Sequence, residues 1–150
     1  MIRVIIAGSR PPEKYANGLL SVWYQHVGPW AFVEIEEALQ LPISMAREGW
    51  PRMEVISGMA RGFDIIGAQW ATQRQMNLTK MPANWETHGK GAGMLRNSQM
   101  ASYAVEHGSH SLLIAFWDKK SKGTKNMIDK AASMGIPVVI VDVSGRFGYE

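Results

Sequence analysis

The chain has 150 residues, of which 46% are hydrophobic and 19% charged; these proportions are typical of a globular domain and exclude an intrinsically disordered protein. It contains no cysteine, which excludes disulfides and thiolate metal sites, and no apolar run approaches the roughly 20 residues that cross a bilayer. We predict one cytoplasmic domain over residues 1–150, with no membrane partner. The formal charge of +3 favours a polyanionic partner only weakly.

Apolar runs with strand character alternate with segments of helical spacing along the chain. The strand runs cover residues 2–7, 53–56, 112–116 and 136–141, with a weaker fifth run at 78–81. Most are continuous, as is typical of strands covered on both faces of a parallel sheet. The helical segments carry apolar stripes at Phe63, Ile66 and Trp70; at Met94, Ser98, Ala101 and Val105; and at Met127, Ile128, Ala131 and Met134. The alternation predicts an α/β fold: a Rossmann-like, doubly wound, mainly parallel five-stranded sheet with helices on both faces.

The first connection, at about residues 11–50, is long enough to resemble an insertion and predicts more than one helix. Pro29, followed by apolar residues at helical spacing, indicates a helix that starts near residue 30. Pro42 predicts the end of that helix or a kink in it.

Three predicted strands end in loops that combine glycine, hydroxyl and basic side chains. Glycines let backbone N–H groups approach a phosphate, a following helix start adds unpaired donors, and arginine adds bidentate geometry. Because parallel strands end at one edge of the sheet, we expect these loops to share a cleft. The candidate ligand-binding residues are Gly8, Ser9 and Arg10; Ser57, Gly58, Ala60, Arg61, Gly62 and Asp64; and Ser121, Gly123 and Thr124.

A fourth polar, glycine-rich segment, residues 84–97, leads into the third helical stripe and is predicted to be a binding loop. Arg96 lies about 200° around that helix from Met94, off the apolar stripe, so it either points at a ligand, which we expect, or covers the surface. The tryptophans are predicted mainly as core residues, but Trp85 and the aromatic residues at 23–32 would stack on a base if they were exposed. His88 is either an acid or base or, more simply, a hydrogen-bonding residue. The candidates here are Trp85, His88, Lys90, Gly93, Arg96 and Asn97.

No standard nucleotide fingerprint is present at a junction between a strand and a helix. Neither G-x-G-x-x-G nor G-x-x-x-x-G-K-[ST] occurs there, so dinucleotide dehydrogenase binding and P-loop hydrolysis are not predicted. No metal site and no required cofactor are predicted, although a bound nucleotide fits the loops. The lysine cluster, defined as Lys119, Lys120, Lys122 and Lys125, is either a solvated loop or an anion attractor.

Four motifs carry a resemblance to a known family. They are Gly8-Ser9-Arg10; Ser57-Gly58-x-Ala60-Arg61-Gly62-x-Asp64; Trp85-x-x-His88-Gly89-Lys90-x-Ala92-Gly93-x-x-Arg96-Asn97-x-x-Met100; and Phe116-Trp117-Asp118 through Ser121-x-Gly123-Thr124. In this order they resemble the SLOG superfamily, which groups the DNA-processing protein DprA with the LOG phosphoribohydrolases, and they are most similar to its YspA-like branch. The motifs span nearly the whole chain except the 11–50 segment.

The resemblance implies a Rossmann-like protein that binds a nucleotide-derived ligand of NAD, ADP-ribose or cyclic-nucleotide type, as a sensor or a sequestering protein. A homo-oligomer is expected by analogy. One alternative is a LOG-like hydrolase of the nucleotide N-glycosidic bond, with Asp64, Glu86 or Asp118 as acid or base. Another is DprA-like binding of single-stranded DNA. LOG enzymes carry acidic residues after their Gly-Thr, whereas Lys125, Asn126 and Met127 follow Thr124 here, so binding without catalysis is the favoured hypothesis.

Overall fold

A computed structural model describes residues 1–44 and 52–150. Its strands are β1 (Ile2–Gly8), β2 (Met53–Ser57), β3 (Asn77–Lys80), β4 (His110–Trp117) and β5 (Val138–Asp142). Its α-helices are α1 (Leu20–Ser44), α2 (Phe63–Gln73), α3 (Trp85–His88), α4 (Ala92–Ala104) and α5 (Lys122–Ser133). Short 3₁₀ turns lie at Glu13–Tyr15, Gly89–Gly91 and Glu106–Gly108. Within these described ranges no helix has both the length and the apolar character needed to cross a membrane.

The five strands form one sheet in the order β3-β2-β1-β4-β5, and every neighbouring pair is parallel. Central β1 pairs on one side with β2, through Val4 and Val55, and on the other with β4, through Val4 and Leu112. The chain winds outward from β1 to β3, returns to the other side of β1 at β4, and winds outward again. This reversal creates a switch point beyond the carboxyl ends of β1 and β4, where open α/β sheets bind ligands. The predicted fold class is confirmed.

Helices cover both faces of the sheet because successive side chains of each strand point to opposite sides. Val4 and Ile6 of β1 are fully buried against α1 and α2, whereas Ile5 and Ala7 are buried against α4 and α5. The stripe of α2 is confirmed, since Phe63, Ile66 and Trp70 are all fully buried. The central strands are therefore apolar on both faces, which explains their continuous apolar sequences.

The strand ends differ from prediction by one or two residues. The clearest case is β5, which begins at Val138 instead of Ile136. Gly135 has a positive φ of 75°, and the N–H of Ile136 donates to the carbonyl of Ala131 at 3.0 Å. Ile136 is buried, but it belongs to the turn that ends α5.

The main helix of the first connection was predicted to start near residue 30, and this is wrong, because it starts at Leu20; the second helix predicted for this connection is not seen in its described part, residues 11–44. After a 3₁₀ turn the described part holds a single α-helix, α1, which passes through Pro29 and Pro42. An interior proline costs about 3 kcal/mol in a helix. The cost is outweighed because side chains spaced four apart form one buried stripe, and burying each large one contributes about 1.5–3 kcal/mol. This stripe consists of Trp23, Val27, Ala31, Ile35 and Leu39. The end of the predicted insertion, residues 45–50, lies outside the described residues.

Candidate functional site

A cleft of about 430 Å³ opens at the switch point beyond the carboxyl ends of β1 and β4. Its walls come from the end of β1, the loop before α2, the α3–α4 segment and the first turn of α5. The predicted residues that line it are Gly8, Arg10, Ala60, Asp64, Trp85, Lys90, Gly93, Arg96, Asn97, Ser121, Gly123 and Thr124. Ala7, Met94, Met100, Lys122, Asn126 and Met127 also line it and were not predicted.

The end of β1 forms the floor of the cleft, and Gly8 sits there because no side chain fits. A Cβ on Gly8 would lie 2.7 Å from the carbonyl oxygen of Phe116 and from the Cβ of Phe63. The next residue, Ser9, is buried; its N–H donates to the Phe116 carbonyl at 2.8 Å and its Oγ donates to Asp118 Oδ1 at 3.1 Å. Ser9 therefore ties β1 to β4 behind the cleft, while exposed Arg10 lines it.

Asp64, in the first turn of α2, is a buried carboxylate at the centre of the site. Its Oδ1 accepts from the N–H of Gly8 and its Oδ2 from the N–H of Ala60, both at 3.3 Å. Burial raises the pKa of Asp64 to about 6, against the lowering effects of Arg96, the two amides and Arg10. Asp64 thus connects two of the strand-end loops, and its pKa lies close to neutral pH.

Arg96 of α4 is also buried and connects the loops from the other side. Its Nη1 donates to the carbonyl of Gly58 at 2.5 Å, and its Nε donates to Asn97 Oδ1 at 3.2 Å. Desolvation lowers the pKa of Arg96, and the Asp64 charge counteracts this. Among the described residues Nη2 of Arg96 has no hydrogen-bond partner, so this end of the guanidinium has donors to offer to the cleft.

Gly58 does not line the cleft, but its lack of a side chain makes the site possible. A Cβ there would lie 2.4 Å from Arg96 Nη1 and 2.8 Å from Asp64 Oδ2. The arginine and the carboxylate therefore approach the backbone through the space a side chain would fill.

The predicted stripe of α4 is correct at Ala101, which is fully buried, and wrong at Met94, which is 57% exposed. The buried face of the helix includes Arg96 and Asn97 instead. Arg96 lies opposite Met94 as expected, but that side faces the sheet, because Gly58 and Asp64 provide polar partners for a buried guanidinium. The buried residues are Ala92, Arg96, Asn97, Met100, Ala101 and Ala104.

The first turn of α5 presents unpaired backbone donors to the cleft. Ser121 caps the helix, and its Oγ accepts from the N–H of Thr124 at 3.4 Å. The N–H groups of Lys122 and Gly123 have no protein acceptor within the described ranges. Asn97 holds this turn in place by donating from Nδ2 to the Gly123 carbonyl at 3.3 Å and to Asn126 Oδ1 at 3.0 Å. The turn combines free donors with the positive end of a helix dipole, the environment that favours an anion.

Three members of the lysine cluster are paired at the surface, away from the cleft. Lys119 lies 3.1 Å from Asp142, Lys120 3.7 Å from Glu150, and Lys125 2.8 Å from Asp129. Lys122 alone of the cluster lines the cleft, and it forms no ion pair with the residues that the structure describes.

The loop at 57–62 was predicted to offer amides to a phosphate, but most of its donors are used within the protein. Met59 N–H donates to Ser57 Oγ at 3.1 Å, and Gly62 N–H donates to the Tyr24 hydroxyl at 2.8 Å. Ser57 Oγ in turn donates to the carbonyl of Asp64 at 2.9 Å. Arg61 is exposed and does not line the cleft. The loop therefore positions Asp64 and Gly58, and ligand binding by Arg61 stays a prediction without support from this geometry.

Of the three candidate acids, only Asp64 lines the cleft. Glu86 is exposed outside it, as is His88. Asp118 is used to shape the loop before α5: its Oδ1 accepts from Ser9 Oγ and from the N–H groups of Lys120 at 2.9 Å and Ser121 at 2.8 Å.

A further residue, Tyr149, holds the Arg10 loop and was not predicted from the sequence. Its buried hydroxyl donates to the carbonyl of Arg10 at 2.9 Å, and its ring stacks on Phe63 at 6.5 Å between centroids. Burial raises the pKa of Tyr149 above its usual range. Lys122 was predicted only as a member of the lysine cluster. Asn126 was detectable in principle from its place one turn into a helix that follows a strand.

Fold and cleft together define a Rossmann-like protein with a basic, phosphate-suited crevice at its switch point. The sequence model that defines the YspA, cpYpsA-related SLOG family matches residues 2–88. The match includes the long first connection, in which none of the four motifs lies. The Gene 61 protein of Mycobacterium phage D29 is 33% identical over 144 residues, which cover 93% of this chain and 95% of the phage protein. No solved structure matches significantly. The chain belongs to the YspA, cpYpsA-related SLOG family.

Proposed function

We propose that this protein binds a phosphate-bearing, nucleotide-derived small molecule in the switch-point cleft, as a sensor or a sequestering protein. One observation carries the proposal: four cationic side chains and one carboxylate line the described cleft. The cations are Arg10, Lys90, Arg96 and Lys122, and the carboxylate is Asp64. Because Asp64 is already bonded to two amides and faces Arg96, the remaining charge of the cleft attracts an anion.

The first turn of α5 adds a second argument for phosphate. The N–H groups of Lys122 and Gly123, which have no acceptor in the described part of the chain, lie at a helix start. Lys122 is also the one member of the lysine cluster without an ion pair to a described residue. The cleft volume of about 430 Å³ lies within the usual range of small-molecule sites, roughly 300–1,000 Å³. A molecule of nucleotide size with at least one phosphate satisfies both features.

Titration calorimetry with nucleoside monophosphates, NAD, ADP-ribose and cyclic nucleotides tests the proposal. At least one should bind, and Lys122→Ala should weaken its binding while Lys120→Ala, outside the cleft and paired with Glu150, should not. Both lysines are exposed, so folding should be unaffected. Absence of binding across the whole series, or equal effects of the two substitutions, would overturn the proposal.

A hydrolase of the N-glycosidic bond is the second candidate function, because Asp64 is a carboxyl group in the cleft with a pKa raised to about 6. Such a group can exchange a proton near neutral pH. Against catalysis, Asn126 and buried Met127 line the cleft where LOG enzymes place acidic residues after their Gly-Thr. Incubation with AMP or NAD, followed by chromatography for the free base, distinguishes a hydrolase from a binding protein. Release of free base by the parent that disappears in Asp64→Asn would establish an enzyme.

A further inference from the structure

Trp85 is an exposed aromatic side chain in the cleft that the packing of the protein does not explain. It is the first residue of α3, which Asn84 caps by accepting from the N–H of Thr87 at 3.1 Å. The side chain is 50% exposed and is the one aromatic group among the described residues that line the cleft. An indole left half in water has a large apolar surface that a ligand can cover.

The four other tryptophans that the structure describes have structural positions. Trp23 and Trp70 are buried in the core, and Trp30 packs against Phe147 at 4.8 Å between ring centroids. Trp117 Nε1 donates to the Ser121 carbonyl at 3.1 Å. Trp85 differs from all of them because it faces the proposed ligand site.

Trp85 lines the cleft from the α3–α4 segment, together with Lys90 and Met94, which is 57% exposed. Gly93 lies against the indole, since a Cβ on Gly93 would be 3.4 Å from Trp85 Cη2. The first turn of α5, with Lys122 and two amides that have no acceptor among the described residues, lines the cleft from a different element. The cleft therefore combines an exposed aromatic side chain on one segment with an anion-binding turn on another.

We propose that Trp85 stacks on the base of the ligand and that the phosphate binds at the first turn of α5. The proposal rests on the proposed function and adds the ligand's orientation and a requirement: the ligand carries an aromatic base, and a sugar phosphate without a base is a poor substitute. Asn126, whose Oδ1 accepts from Asn97 Nδ2, also lines the cleft.

The test compares one base-bearing and one base-free ligand by calorimetry. The ligands are the best-binding monophosphate among AMP, GMP, CMP and UMP, and ribose 5-phosphate. Stacking of a base on an aromatic side chain corresponds to a loss of roughly 5- to 150-fold in affinity on truncation to alanine. Trp85→Ala should lose this much affinity for the monophosphate and none for ribose 5-phosphate, and Trp85→Phe should keep most of it.

Leu95→Ala is the matched control, because Leu95 is an exposed apolar residue of the same segment, 40% exposed, that does not line the cleft. It should bind both ligands as the parent does. If Trp85→Ala binds the monophosphate like the parent, or loses both ligands equally, stacking is wrong while the proposed function stands. If the parent binds no nucleotide, the proposed function fails and this proposal fails with it.

Discussion

Gly58 shows how one missing side chain determines the arrangement of the site. Its Cβ position lies within 3 Å of both Arg96 and Asp64, whose side chains are buried and hydrogen-bonded to the neighbouring backbone. We expect Gly58→Ala to lower the free energy of unfolding by about 1–3 kcal/mol, as overpacking usually does. Denaturant unfolding measures this.

Gly91→Ala is the control for Gly58→Ala. Gly91 has an ordinary φ of −82° and nothing within 4 Å of its Cβ position, so its substitution should change stability by less than about 1 kcal/mol. Equal stability of the two variants would show that the guanidinium and the carboxylate can move aside.

Asp64 should make the stability of the protein depend on pH. The pKa of Asp64 is about 6 in the fold, above its ordinary value of 3.8, so the native state holds this proton more tightly than the unfolded chain does. Its contribution is fully present below about pH 4 and is lost as the pH rises through 6. The loss amounts to about 3 kcal/mol at most.

Unfolding measured from pH 4 to 8 on the parent and on Asp64→Asn isolates this effect, since asparagine does not titrate. The difference between the two proteins should shift in favour of the variant as the pH rises. A constant difference across the range would contradict the raised pKa.

At the residue scale the sequence identified the groups that carry chemistry but not their partners. Asp64 was predicted from its place in the glycine-containing loop after a strand, and Arg96 from its position off the apolar stripe of its predicted helix. Their burial, and the use of the 57–62 amides within the protein, depend on contacts between distant segments. Tyr149 was not predictable for the same reason, since it lies 139 positions from Arg10.

Among the secondary-structure elements, α1 is the one in which two features of the sequence predict different structures: its prolines predict a helix end, and its apolar spacing predicts a continuous helix. Pro29 lacks the N–H that would donate to the Gln25 carbonyl, yet the helix continues through it. Because Pro29 is exposed, Pro29→Ala should restore that hydrogen bond without loss of packing and raise the free energy of unfolding by about 1–3 kcal/mol. Thermal or denaturant unfolding measures the gain.

Gln40→Ala, an exposed substitution in the same helix, should stay within about 0.5 kcal/mol of the parent. A loss of stability in Pro29→Ala would mean that the proline shapes the helix so that its stripe packs against α2 and the sheet.

Strands were easier to predict than α1, because burial on both faces makes each strand continuously apolar over a short stretch. Pro29 alone predicts a helix that starts near residue 30. The four-residue spacing of buried side chains from Trp23 to Leu39 predicts one continuous helix, as the structure shows. Such a helix is predicted only when the free energy gained by burying its whole stripe is compared with the free energy lost at the proline.

The distribution of charge over the whole molecule disfavours binding of a long polyanion. The net charge is +3, and three of the four clustered lysines are paired with Asp142, Glu150 and Asp129. We expect no binding of a single-stranded oligonucleotide at micromolar protein and about 50 mM salt, measured by fluorescence anisotropy. A nucleotide that binds the same preparation serves as the positive control, and steeply salt-dependent oligonucleotide binding would instead favour the DprA-like alternative.

The first and last described residues lie near opposite ends of the strands. Met1 precedes β1 and is 51% exposed at the amino ends of the strands. Glu150 follows Tyr149, which is hydrogen-bonded to the Arg10 loop at the carboxyl ends, where the cleft lies. A fusion tag or surface anchor placed before Met1 is therefore separated from the ligand by the length of a strand. One placed after Glu150 begins beside the ligand, so affinity measurements on immobilised protein should use amino-terminal attachment.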